Sequence, residues 1–224
     1  PPRYTDARLR IRAKDNPTMS KNRLFLACAA MAVLSVAPAY AQEAGDIQVK
    51  GLVTGVLPDG AITEVTADAV GLPAGAQTEA SESVVPTVAI EYFVSRNFSL
   101  ETICCVTPHD VRGTGALAGA ELIDDAIILP ASLTAKYHLP LGSGIKPYLG
   151  VGATHFFIFG EDVGEDAAGL GVTGVDLSDE FGFLLQGGVD ITLGDGGLGL
   201  SLDAKRYFVD TTATFDASNA IAFQ

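Results

Sequence analysis

Hydrophobic and polar residues alternate twice across residues 89–111, and a short polar break separates the two runs. The first run places apolar side chains on one face at Val88, Ile90, Tyr92 and Val94. After the break at residues 95–97, the second run places Phe98, Leu100, Thr102 and Cys104 in equivalent positions. A period of two is typical of β-strands, and two such runs around a short turn predict a β-hairpin. Glu91 and Glu101 lie on the opposite face, so the hairpin alone leaves open which face is buried.

The same period recurs in five further stretches, with no long helical pattern between them. The predicted strands cover residues 47–57, 127–139, 145–159, 181–193 and 198–209. Together with the hairpin they make seven strands of about 9 to 15 residues, whereas strands of soluble sheets average 5–6 residues. A tilted strand that crosses a membrane needs about 9–11 residues, so these strands are long enough to do so.

The connections between the predicted strands alternate strictly between long and short. Residues 58–83, 106–125 and 160–180 form long acidic connections, and residues 95–97, 140–144 and 194–197 form short ones. In an antiparallel meander, this places all long loops at one end. That asymmetry is typical of membrane barrels with short periplasmic turns and longer extracellular loops. We therefore predict an all-β fold, a transmembrane antiparallel up-and-down β-barrel.

The two faces of these strands differ in the way a membrane barrel requires. One face is apolar, without an ionisable residue from the second strand through Ala204, as a lipid-facing surface must be. The other face carries four acids and four lysines: Lys50, Glu91, Glu101, Lys136, Lys146, Asp190, Asp203 and Lys205. Since an unpaired interior charge is costly, we predict a paired network inside a narrow lumen; a scattered solvated face is the alternative. In the hairpin, Ile90, Tyr92, Leu100 and Cys104 should then face lipid, and Glu91, Phe93, Glu101 and Ile103 the lumen.

The N-terminal region resembles an export signal. Residues 19–41 have a basic start, an apolar centre of about 13 residues and a small-x-small end at Ala39-Tyr40-Ala41, the layout of a signal peptide cleaved before Gln42. Only four apolar residues separate Arg23 from Cys28, too few for a lipoprotein signal ending there. We predict that residues 1–18 are upstream sequence outside the fold, that residues 19–41 are removed, and that residues 42–224 form the barrel domain.

Charge argues against a nucleic-acid partner. Of the chain's 27 Asp and Glu and 14 Lys and Arg, residues 1–41 hold 2 and 7, which leaves 25 acids, 7 bases and a formal charge of −18 for residues 42–224. Nucleic-acid phosphates require the opposite sign.

No catalytic or metal-binding arrangement stands out. Ser132 and His138 lie on one predicted strand, about 20 Å apart at the usual rise per residue, and so cannot meet. The acidic segment 161–166 lacks the spacing of a calcium loop, which leaves a solvated loop or weak cation binding. We predict no enzymatic activity, no cofactor and no metal site.

The residues resemble the outer-membrane protein W (OmpW) family of small eight-stranded barrels. The matching segments are QEAGD at 42–46, VLP at 56–58, LETICCVTPHDV at 100–111, LPASLTAKYH at 129–138, KPYLGVG at 146–152 and YFVDTTA at 207–213. The resemblance implies a barrel in the Gram-negative outer membrane, inserted by the barrel-assembly machinery among lipid and lipopolysaccharide. It also implies a narrow, partly hydrophobic interior that passes or binds small apolar molecules.

Two departures from the family pattern qualify these implications. The resemblance places an apolar constriction near Ile103 or Cys104 and at Lys205, but a lysine there favours a salt-bridged plug with Asp203 or Glu101. The family's eighth strand ends in an aromatic residue, whereas this sequence stops before such a strand. Seven antiparallel strands cannot close in lipid without open edges, so we expect a C-terminally truncated barrel.

Two hypotheses for function follow. The first is a conduit or binding pocket for small hydrophobic molecules near the loop end. Its predicted lining consists of the inward apolar residues Leu52, Val56, Phe93, Ile103, Tyr148 and Phe156. The alternative is a structural or surface-receptor barrel with a plugged lumen and no transport, since the interior of an eight-stranded barrel is only just wide enough for side chains to fill.

Overall fold

A computed structural model describes residues 7–14, 29–36, 43–139, 141, 144–194 and 198–217. Within these ranges the chain forms fifteen strands and one short helix. The strands are β1 Ala7–Lys14, β2 Ala29–Val36, β3 Ile47–Val56, β4 Ile62–Asp68, β5 Ala76–Ala80, β6 Ser83–Ser95, β7 Phe98–Cys104, β8 Thr107–Gly115, β9 Glu121–His138, β10 Ile145–Phe159, β11 Asp162–Val163, β12 Val172–Leu177, β13 Glu180–Leu193, β14 Leu198–Phe208 and β15 Asp210–Ala217; helix α1 is Glu165–Gly169. No helix in the described ranges is long and apolar enough to cross a membrane.

Eight of the described strands close into an antiparallel barrel. Their order around the wall is β2-β3-β6-β7-β9-β10-β13-β14, and β14 pairs with β2 to complete the ring. All seven predicted strands are present, and the prediction of a transmembrane up-and-down barrel is confirmed. Predicted and observed bounds agree at 145–159, whereas β9 begins at Glu121, six residues before the predicted start, because it extends beyond the barrel.

The eighth strand of the wall is β2, which comes from a segment that we predicted to be removed. Strand β2 pairs with β14 on one side and with β3 on the other. Its residues lie inside the predicted signal peptide, and β1 lies inside the predicted upstream sequence. Strand pairing does not locate the start of the mature chain, so the proposed domain boundaries stay predictions.

The long connections, together with β1 and β15, fold into an ordered extension above one end of the barrel. This extension consists of β1, β4, β5, β8, β11, β12, β15, α1 and the first part of β9, and it includes a separate four-stranded sheet in the order β12-β15-β1-β4. Its core is apolar: Leu9, Ile11, Val70, Leu122, Ile123, Ala126, Ala167, Ala213, Phe215 and Ala217 are buried together. Burying a side chain of the size of Ile123 or Phe215 contributes about 1.5–3 kcal/mol. We call the barrel end that carries the extension the loop end, and the opposite end the turn end.

The outer wall of the barrel is apolar, as the alternation predicts. On β6, Ile90 and Tyr92 are each 46% exposed, whereas Glu91 and Phe93 between and beside them are 0% and 1% exposed. Large exposed apolar side chains continue around the barrel on β10, β13 and β14, for example Leu149, Leu185 and Leu202. Such a belt is stable against lipid and unfavourable against water, so this surface is the membrane-facing one.

Candidate functional site

A continuous chain of alternating charges crosses the lumen. It runs from Asp190 to Lys50, Glu91, Lys136, Glu101, Lys205 and Asp203, and each neighbouring pair lies within 2.8–3.0 Å, nitrogen to oxygen. Every one of these residues is buried. The structure thus brings together seven of the eight predicted network residues. The eighth, Lys146, is half-buried and lies opposite Asp190 in the register of β10 and β13.

The register of the strands explains why the lysines are needed where they are. Glu91 and Glu101 are direct cross-strand partners on β6 and β7, and like charges in that position repel. Lys136 on β9 compensates for this repulsion, because its Nζ donates to Glu91 Oε2 at 2.9 Å and to Glu101 Oε2 at 2.8 Å. The face of the Tyr148 ring lies 3.8 Å from the same Nζ, which adds a cation–π contact.

Two of the ion pairs span the lumen rather than run along its wall. Lys205 on β14 reaches Glu101 on β7, and β7 and β14 are on opposite sides of the ring. Lys50 on β3 likewise reaches Asp190 on β13, three places away in the strand order. These cross-lumen contacts close the interior at this level.

Neutral polar side chains complete the network, and the sequence analysis missed most of them. Gln186 Nε2 donates to Glu101 at 2.9 Å and to Asp203 at 2.6 Å, and the Tyr148 hydroxyl donates to Asp203 at 2.7 Å. Ser201 donates to Asp190 at 2.6 Å. The period of two places Gln186 and Ser201 on the inward faces of their strands. Which charged residue each one contacts depends on packing across the lumen.

Above the network, toward the loop end, lies a cavity of about 240 Å³. Its wall is mainly apolar and includes Leu52, Val56, Ile103 and Phe156, four of the six predicted lining residues. Residues of the extension, including Ile11, Val111 and Phe215, line its upper part, and Asp203 and Lys205 line it from the network. The cavity therefore ends at the ion pairs.

The other two predicted lining residues lie elsewhere. Phe93 and Tyr148 flank His138, with ring centroids 5.3 Å from it on either side, and neither lines the cavity. Our placement of Phe93 and Tyr148 near the loop end differs from the structure for a simple reason. Phe93 is two residues before the end of β6 and Tyr148 three residues after the start of β10, so both are at the turn end.

Several cavity residues escaped the sequence analysis although a signal for them exists. Cys105, Thr107, His109 and Val111 all line the cavity. They continue the odd-numbered inward positions of Ser99, Glu101 and Ile103, so extending the period past Cys104 would have found them. The predicted connecting loop covers residues 106–125, whereas the structure forms strand β8, Thr107–Gly115, within it.

One serine–histidine contact is present that the sequence analysis did not consider. Ser99 Oγ lies 2.9 Å from His138 Nε2. The same nitrogen also lies 2.9 Å from Glu91 Oε1, so it is shared between the hydroxyl and a carboxylate. Ser99 is completely buried, and both residues belong to the network. The Ser99 hydroxyl also donates to Glu91 Oε1 at 2.5 Å, so both side chains hold this carboxylate in the network.

The acidic segment 161–166 uses two of its carboxylates to satisfy backbone groups. Glu161 Oε1 accepts from the Leu177 backbone N–H at 3.0 Å, and Asp166 Oδ2 accepts from that of Glu121 at 2.8 Å. Both contacts stabilise the extension. Among the described residues, no group of three or more His, Cys, Asp or Glu side chains is arranged to hold a metal ion.

Comparison with known proteins agrees with this architecture. An uncharacterised outer-membrane protein, y4mB, of Sinorhizobium fredii is 30% identical over 87% of this chain and 82% of its own length. Outer membrane protein W of Vibrio cholerae is 26% identical over 84% of this chain and 85% of its own length. The crystal structure of the outer membrane protein OprG from Pseudomonas aeruginosa superimposes with a TM-score of 0.59 at 20% identity, covering 79% of this chain and 99% of that one.

The family assignment rests on a match to a sequence model of a whole family. The sequence model of the OmpW family matches residues 43–222, which include all the strands that surround the charge network except β2. With the apolar outer wall, this match places the protein in the outer membrane of a Gram-negative cell. The chain belongs to the OmpW family.

Proposed function

We propose that this barrel binds small hydrophobic molecules in the cavity at its loop end. The observation that carries the proposal is an apolar cavity of about 240 Å³ that lies directly above a closed layer of ion pairs. An apolar cavity of about 150 Å³ binds benzene in an engineered protein, so this one has room for a molecule somewhat larger than a single aromatic ring.

The charge network supports a pocket rather than an open channel along the barrel axis. A solute moving from the cavity toward the turn end would have to separate Lys205 from Glu101 and Asp203. Leaving one member of such a buried pair without its partner costs about 3–5 kcal/mol. The proposal is therefore uptake from the outer surface into a pocket, with the network as its floor.

A tryptophan reporter tests the pocket, since the chain contains no tryptophan. Phe156→Trp places a single indole in the cavity wall, and Phe181→Trp places one on the outer wall, where Phe181 is 78% exposed. Nitrobenzene, an apolar quencher, is titrated into each refolded variant. We expect saturable quenching of Phe156→Trp at about one quencher per barrel and linear quenching of Phe181→Trp, which reports partition into detergent. Linear quenching of both variants would contradict the proposal.

The second candidate function is a structural or surface-receptor barrel that takes up no solute. The cross-lumen ion pairs favour it, because they close the interior whether or not a ligand enters from above. Both candidates predict no conductance in planar bilayers. They differ in the quenching experiment, since a barrel without a ligand gives linear quenching with both reporters.

A further inference from the structure

Two polar atoms in the cavity wall have no hydrogen-bond partner among the described residues. They are Thr87 Oγ1 on β6 and His109 Nε2 on β8, in side chains that are 4% and 3% exposed. Both residues line the cavity. Nearly all buried polar groups in proteins are paired, so an unpaired atom that borders an empty space points to a missing partner in that space.

The hydrogen bond at Nδ1 determines whether Nε2 of His109 is a donor or an acceptor. Nδ1 lies 2.7 Å from the backbone carbonyl oxygen of Ser81. A carbonyl oxygen only accepts, so Nδ1 carries the proton and Nε2 of the neutral ring presents a lone pair. The unpaired atom in the cavity is therefore an acceptor, which a ligand satisfies by donating an O–H or N–H group.

The neutral form of His109 is consistent with its surroundings. Phe157 and Phe159 are exposed aromatic side chains at the loop end of β10, where membrane barrels carry a girdle of aromatic residues at the interface. They pair with Leu129 and Ile127, and His109 pairs with Ala126, one residue further toward the extension. His109 thus lies outside the membrane-spanning part of the barrel. Burial lowers the pKa of His109 below its ordinary value, although the Ser81 hydrogen bond and the Asp110 carboxylate act in the opposite direction. The ring is neutral at neutral pH.

The charged groups at the floor make an ionic ligand unfavourable. Lys205 is already held between Glu101 and Asp203, and Asp203 also accepts from Tyr148 and Gln186. A ligand carboxylate would face the lone pair on His109 Nε2 and has no proton to donate to it. A ligand ammonium would lose its hydration in a mainly apolar cavity, which costs much more than burying a neutral hydroxyl.

We propose that the cavity selects neutral, mainly apolar molecules that carry one hydroxyl group, such as small alkylphenols or alcohols, with the hydroxyl donating to His109 Nε2. This inference rests on the proposed function, because it assigns the ligand class of the same pocket. Thr87 supplies a second polar position on the β6 wall, and its hydroxyl either donates or accepts. His109 is then a specificity-determining residue, and the apolar wall supplies the remaining affinity.

Two probes that differ by one hydroxyl test the proposal. Ethylbenzene and 4-ethylphenol are titrated by calorimetry into the full chain refolded in micelles, with empty micelles as the blank. His109→Phe keeps a ring and removes the acceptor. We expect the affinity ratio of 4-ethylphenol to ethylbenzene to fall about tenfold in this variant, with ethylbenzene as the internal reference because it has no hydroxyl to donate. His109→Gln, whose amide oxygen can accept, should retain most of the ratio.

The controls separate this inference from the proposed function. Binding of ethylbenzene by the variant shows that the pocket has formed; if His109→Phe does not fold, His109→Leu removes the same acceptor. An unchanged ratio in a variant that still binds ethylbenzene would overturn the hydroxyl selection and leave the pocket standing. If neither probe binds the unaltered protein, the proposed function fails and the hydroxyl selection fails with it.

Discussion

At the scale of single residues, Lys136 is the central residue of the charge network. It is completely buried and holds the carboxylates of Glu91 and Glu101 together, although these two acids are direct cross-strand partners. A buried ion pair contributes little net stability compared with apolar packing, but the removal of one partner leaves an uncompensated charge. The consequences of changing Lys136 therefore differ from those of changing a surface ion pair.

We predict that Lys136→Met lowers the free energy of unfolding by about 3–5 kcal/mol, because two buried carboxylates lose their shared cation. The matched control is Arg96→Ala. Arg96 forms an exposed pair with Glu43 at 3.2 Å, and we expect a change of about 0–1 kcal/mol. Urea titration in lipid vesicles, followed by the electrophoretic shift between folded and unfolded barrel, measures both. Equal small losses in the two variants would show that the network is not an ordered unit.

At the scale of elements, the pairing of β10 with β13 makes room for a large side chain inside a narrow barrel. Tyr148 is opposite Gly188 in the register of these strands. A Cβ at Gly188 would collide with the Tyr148 hydroxyl and with the Leu202 carbonyl oxygen. The absence of a side chain at Gly188 thus allows Tyr148 to lie across the lumen and donate to Asp203.

Adjacent glycines on β13 provide a matched test of this packing. We predict that Gly188→Ala destabilises the barrel by about 1–3 kcal/mol, because the added methyl group overpacks the lumen. The methyl group of Gly187→Ala points outward, where its nearest non-neighbouring atom, in the Leu149 side chain, lies 3.5 Å away. We expect that change to be within about 0.5 kcal/mol of zero. The same urea titration compares them, and similar values for both positions would contradict the role given to Gly188.

At the scale of the whole molecule, two N-terminal strands complete structures whose other strands come from residues 43–217. Strand β2 pairs with β3 and β14 in the barrel wall, and β1 pairs with β4 and β15 in the extension. Both strands precede the predicted cleavage site. The composition of the mature barrel therefore depends on processing.

We predict that the protein purified from outer membranes begins at Gln42, because Ala39-Tyr40-Ala41 has the small-x-small pattern that signal peptidase recognises. N-terminal sequencing and intact mass measure the start directly. A mature chain that still contains residues 29–36 would refute the cleavage and would place β2 in the wall of the working barrel.

Particular residues show how much of the fold could be predicted from the sequence. The period of two separated Ile90 and Tyr92 on one face from Glu91 and Phe93 on the other, since adjacent strand residues point to opposite faces. The alternation of long and short connections predicted that the strands form a membrane barrel. Loop asymmetry and the charge count then assigned the first face to lipid and the second to the lumen. The separate sheet of the extension was not predicted, because β1, β4, β12 and β15 are short and their partners are distant in sequence. Propensity and period carry no signal for such pairings.

Sequence alone determined which side chains of the predicted strands face the lumen of this protein, and only the tertiary structure decided at which height each one lies. Alternation gives the face of a residue, whereas its height depends on strand direction, stagger and tilt, which are properties of the closed barrel. For that reason Phe93 and Tyr148 belong with His138 at the turn end, while Thr87 and His109 border the cavity. The division of one lumen into an ion-pair floor and an apolar pocket follows from those heights.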